Sequence, residues 1–149
     1  MDILSRNIAF MTTKISNKLK RYVSAELLKH GVTVEQGQII YTLFQPRQFN
    51  QKQLCMELDK DPVALSKTID ILIRKGLVNK DMPKDDRRAY IVILTETGKE
   101  LAEDLKFVVT QGFYDRATKG MSKETYEVFL EALDIIDKNL PGLNSTSNK

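Results

Sequence analysis

The sequence predicts a mainly α-helical domain with one short β-hairpin, and three observations carry that reading. Apolar residues recur at three- and four-residue steps along most of the chain, the period of a helix with one buried face. Each such stretch after the first opens on a residue able to cap a helix. The period gives way at Tyr90-Ile91-Val92-Ile93-Leu94, where β-branched residues favour a strand. With 149 residues, 42% hydrophobic and 29% charged, the chain suits one folded domain, 1–149.

The elements follow in order. Ile8, Met11, Ile15, Leu19, Tyr22, Val23 and Leu27 share one face of a long first helix, with Gly31 just past its end. Thr33-x-x-Gln36 is a capping-box pattern that opens a second helix, with Ile39, Ile40, Leu43 and Phe44 inward and Pro46 as its stop. Asn50-x-x-Gln53 caps a short third helix, whose inward residues are Leu54, Cys55 and Leu58. Asp61-Pro62 places a cap before proline at the first helical position. Leu65, Ile69, Leu72 and Ile73 then carry a fourth helix to Lys75 and Gly76. Leu77-Val78 and Tyr90 to Leu94 read as two strands around a charged loop. Thr95 caps a fifth helix reaching about Lys119, and Ser122 a sixth from Lys123 to about Leu140. At 1.5 Å per residue the fifth is about 35 Å long. Pro141 to Lys149, with the rest of 141–149, reads as a flexible polar tail.

Several function classes are disfavoured by composition. One cysteine, Cys55, and one histidine, His30, cannot build a Cys/His zinc cage or an internal disulfide, so no metal and no cofactor is expected. Catalysis by Ser-His-Asp or Cys-His would have to run through His30, whose Leu28-Lys29-His30-Gly31 setting is a helix end, so an enzyme is not expected. No apolar run reaches the length of a membrane span and the first residues lack a secretory pattern. A cytoplasmic protein without membrane contact is the expectation.

The third and fourth helices followed by a hairpin form the layout of a winged helix-turn-helix, in which the second helix of the pair enters the DNA major groove amino end first. The outward residues of that end are Val63, Ala64, Ser66, Lys67 and Thr68. Small side chains let the backbone approach bases, hydroxyls bond phosphates or base edges, and lysine reaches guanine acceptors. An ordinary solvated helix face competes evenly with this reading. The loop Lys84-Asp85-Asp86-Arg87-Arg88 could enter a narrow minor groove, with Asp86 holding Arg88 extended; a solvated charged turn is its commoner explanation. Charge is unevenly spread: residues 1–46 carry 6 basic and 3 acidic groups, 47–99 carry 11 and 8, and 100–149 carry 6 and 9. A polyanion surface should therefore exclude the final helices.

These residues resemble a known family. Leu54-x-x-x-Leu58, Ser66-Lys67-Thr68-Ile69-Asp70, Leu72-Ile73-Arg74-Lys75-Gly76-Leu77-Val78, Asp86-Arg87-Arg88 and Leu94-Thr95-Glu96-Thr97-Gly98 stand in the order and spacing of MarR-family regulators. Gln36-Gly37-Gln38-Ile39-Ile40 extends the resemblance over nearly the whole chain. It implies a winged-helix repressor acting on double-stranded DNA as a homodimer. Recognition contacts would fall on Val63, Ala64, Ser66 and Lys67, and a wing-tip Asp-x-Arg on Asp86 and Arg88. Lys80 stands where the family usually has arginine, keeping the charge without bidentate phosphate binding.

The expected architecture is a winged-helix core with a two-stranded wing over 33–95, and a helical dimerisation region from 1–30 plus 96–140. Ile3, Leu4 and Ile8 with Phe129, Leu133, Ile135, Ile136 and Leu140 would supply the twofold interface. Family members that sense oxidants through cysteine carry the thiol in the first helix, so Cys55 is expected to be a packed core thiol. A small-molecule effector would bind near Met11, Ile15, Tyr41 and Phe44, which border the family's cleft, although core packing is the commoner explanation of each. Two other classes compete: a non-specific architectural DNA-binding protein, and a winged helix used to bind proteins.

Overall fold

In the computed structural model, which describes residues 7–82, 90–140 and 142, the chain begins with α1 (Ile8–Lys29) and α2 (Val34–Leu43). A short strand β1 (Phe49–Asn50) leads into α3 (Gln51–Leu58) and α4 (Pro62–Arg74). Strands β2 (Val78–Asp81) and β3 (Ile91–Leu94) follow, then α5 (Glu96–Phe107), a π-helical stretch Val108–Phe113, α6 (Tyr114–Ala117) and α7 (Lys123–Asn139). This is the mainly helical winged-helix class expected.

The caps form as the residues dictate. Thr33 and Gln36 close a reciprocal capping box on α2, and Asn50 and Gln53 do the same on α3, each satisfying amides the helix cannot. Asp61, Thr95 and Ser122 accept from backbone amides at the starts of α4, α5 and α7. Gly76 (φ +70°) turns left-handed after α4, letting its own amide and that of Leu77 bond back to the carbonyls of Ile73 and Leu72. That reversal sends the chain straight into β2.

The sheet has three antiparallel strands in the order β1-β3-β2, one more than the sequence predicts. Val78 pairs with Leu94 and Lys80 with Val92, while Phe49 flanks Val92 from the other side. Phe49 is fully buried, so β1 ties the sheet to the core from its second edge. That core combines Ile39 and Ile40 of α2, Leu54 of α3, Leu65, Ile69 and Leu72 of α4, Val78 and Val92 of the sheet, and Ala102 and Leu105 of α5. Leu27 is the one buried residue α1 supplies to it, and α7 has none.

The fifth helix differs from expectation. Regular α geometry stops at Phe107, and a wider turn carries the chain to Phe113 before α6 ends at Ala117. Such a turn absorbs one extra residue and re-aims the chain beyond it. Here Phe113 meets the Tyr22 ring of α1 at 5.8 Å, and the Arg116 guanidinium lies 5.4 Å from that ring's centre.

Candidate nucleic-acid interface

The amino end of α4 protrudes because its opposite face is locked inward by Leu65, Ile69 and Leu72. Asp61 accepts from the Ala64 amide at 2.9 Å, fixing the first turn, and Pro62 needs no donor there. Val63 is 62% exposed, and Ala64 and Lys67 are also exposed, so these three form the leading surface. Ser66 and Thr68 are half-buried, and the Thr68 hydroxyl donates to the Ala64 carbonyl at 3.0 Å. That hydroxyl retains only acceptor capacity toward a ligand.

Lys80 lies on β2 beside this helix. Its ammonium stands 3.7 Å from an Asp70 carboxylate oxygen of α4 and 4.8 Å from the centre of the Tyr90 ring. The Tyr90 hydroxyl in turn donates to Gln51 Oε1 of α3 at 3.0 Å. One chain of contacts thus joins the stem of the hairpin to both helices of the pair. Asp70, Tyr90 and Gln51 escape a reading of the sequence, because their significance comes from meeting across three elements. The wing-tip residues Asp86, Arg87 and Arg88 lie outside the described residues.

Cys55 is buried, and burial, followed by the nearby Asp61 carboxylate, pushes its thiol above the ordinary value. Such a thiol is a poor nucleophile.

Of the four residues assigned to an effector site, Ile15 and Phe44 line different pockets. Ile15 lines an apolar cavity of about 830 Å³ with Leu19, Phe113, Tyr114, Tyr126 and Phe129. Met11 is exposed on the same helix, Tyr41 is exposed on α2, and Phe44 borders a separate groove beside Arg47 and Leu94. Among the described residues no cluster of His, Cys, Asp and Glu could hold a metal ion, and no helix is long and apolar enough to cross a membrane.

Residues 32–98 match the family model described as "Winged helix DNA-binding domain". The uncharacterized HTH-type transcriptional regulator YhbI of Bacillus subtilis is 33% identical over 89 residues, 60% of this chain and 58% of its own length. The chain thus spans little more than half of that relative. A putative MarR family transcriptional regulator from Listeria monocytogenes, solved with a 26mer DNA, superposes with a TM-score of 0.82 over 90% of this chain and 89% of its own at 20% identity. CouR from Rhodococcus jostii, bound to p-coumaroyl-CoA, gives 0.79 over 91% of this chain and 95% of its own at 22% identity. The position of α4 against its partner helix and hairpin, together with these likenesses, establishes the chain as a winged helix-turn-helix protein with the MarR-family fold.

Proposed function

We propose that this protein is a sequence-specific transcriptional regulator that binds a pseudo-palindromic DNA site as a homodimer and represses by occupying it. The observation that carries the reading is the capped, protruding amino end of α4, with Val63, Ala64 and Lys67 exposed and Ser66 and Thr68 at their flanks. Small residues at that end allow close approach to base edges, and Lys67 supplies a donor for guanine. Arg87 and Arg88 of the wing, with Asp86 holding Arg88, would add minor-groove affinity.

Dimerisation is favoured by the uncovered apolar surface of the terminal helices. Ile8, Phe129, Leu133, Ile135 and Leu140 are all exposed in the single chain, and an exposed apolar surface of that extent marks an interaction site. Two copies related by a twofold axis would set their α4 helices into successive major grooves about 34 Å apart. An apolar effector in the cavity beside Ile15 and Phe113 would release DNA if it bound better to a dimer with mismatched helix spacing, since differential affinity alone shifts such an equilibrium.

Selection of bound sequences from a random duplex pool tests the reading directly. An enriched inverted repeat is the expected result; binding without enrichment would identify an architectural protein, and no binding at low salt a protein-interaction module.

A further inference from the structure

The exposed stripe of α4 that begins with Val63 and Lys67 continues through Asp70 to Arg74, so the recognition surface carries a carboxylate in line with its lysine. Anions on such a surface repel phosphate, and the Asp70 side chain is 57% exposed, so its pairing with Lys80 contributes little to stability. The Lys80 ammonium is nevertheless held from a second side. Tyr90 presents its ring to the Lys80 ammonium, and Gln51 fixes the Tyr90 hydroxyl. An aromatic face attracts the cation without cancelling its charge, whereas the carboxylate neutralises it.

We infer that Asp70 is an affinity-limiting residue that occupies the Lys80 ammonium in the DNA-free protein and must give it up before a phosphate can take it. The inference rests on the DNA-binding reading above. Exchange of one partner for another makes the net electrostatic gain from Lys80 small, and that gain is independent of base sequence. Asp70 therefore trims the non-specific part of the affinity and leaves the base-reading part at Lys67 untouched. A regulator searching a genome benefits, because competing sites outnumber the operator by orders of magnitude.

The test is a double-substitution cycle with Asp70→Asn and Lys80→Gln, read by fluorescence anisotropy on the selected duplex and a scrambled duplex at several salt concentrations. Both side chains are on the surface, and circular dichroism confirms that each variant is folded. Asp70→Asn is expected to tighten binding to both duplexes by about threefold to tenfold and to steepen the salt dependence by about one unit per protomer. In the Lys80→Gln background the same substitution should change affinity less than about twofold, since the ammonium it would release is gone. An equal gain in both backgrounds makes Asp70 a simple repulsive charge and overturns the inference, as does no gain at all. Failure of the wild-type protein to bind either duplex removes the DNA-binding reading itself, a separate outcome.

Discussion

A β-carbon on Gly98 of α5 would overlap the carbonyl oxygen of Leu77, the residue that leads into β2. The same oxygen accepts from the Thr95 amide at 3.1 Å, and the Thr95 hydroxyl donates to the Gly76 carbonyl at 2.6 Å. The start of α5 is thereby seated on the base of the hairpin backbone to backbone. Gly98→Ala should destabilise the fold by about 2 kcal/mol, because forced repacking outweighs the roughly 1 kcal/mol that alanine gains over glycine inside a helix. Urea unfolding gives the sign, and a stabilised variant would contradict so close an approach.

Cys55 should behave as a core side chain with a pH signature. Its pKa is raised above 9.0 in the folded protein, so the native state keeps a proton that the unfolded chain loses. The proton-linked term is flat below that value and erodes stability as pH climbs from 9.0 toward the higher native value. Cys55→Ser should remove that slope, cost about 1–3 kcal/mol through burial of a more polar group, and leave DNA binding intact. Alkylation of the native protein at neutral pH should be slow. Peroxide release of DNA from the wild type, absent in the serine variant, would make the thiol a sensor instead.

Lys67 and Arg88 should separate base reading from general affinity. Lys67→Ala is expected to reduce discrimination between the selected site and a mutated one by about 1–3 kcal/mol. Arg88→Ala should weaken both duplexes alike and lower the salt slope by about one unit for each phosphate interaction removed, with Asp86→Ala giving a partial version. Anisotropy titrations at several salt concentrations distinguish them. Wild-type affinity for both duplexes after Arg88→Ala would mean that the wing does not enter DNA.

Phe129→Glu and Leu133→Glu, one helical turn apart, place a charge on the exposed apolar face of α7. Each should shift the protein from dimer to monomer in sedimentation at micromolar concentration while the winged-helix core remains folded by circular dichroism. A wild-type monomer of 17.1 kDa under those conditions would refute the interface.

Legibility in the sequence divides along one physical line. Caps at Thr33, Asn50, Asp61, Thr95 and Ser122 are legible because side chain and amide lie within three residues of each other, so the signal is local. The outward face of α4 is legible because its inward period is strong. Strand β1 is not, because two residues carry no period and its existence depends on pairing with Val92 and Ile91 more than forty positions away. The π-helical turn is hidden because one extra residue barely disturbs an apolar period in a helix. Lys80 is recognisable as a cation in the right place, yet its engagement with Asp70 and Tyr90 is tertiary. Met11, Ile15, Tyr41 and Phe44 group by helix face, and a face does not say which ends of two helices meet.

That α7 has no buried residue over seventeen positions would tie its order, in the proposed homodimer, to mass action. An amphipathic helix of that length is marginal in water by itself, and anything that binds the ordered form stabilises it by an amount that rises with the logarithm of concentration. In the homodimer proposed above, scarce copies would leave α7 open to fraying and proteolysis while the core built on α2 to α5 persists, and abundant copies would cover it, so that the protein's lifetime would rise with its own concentration.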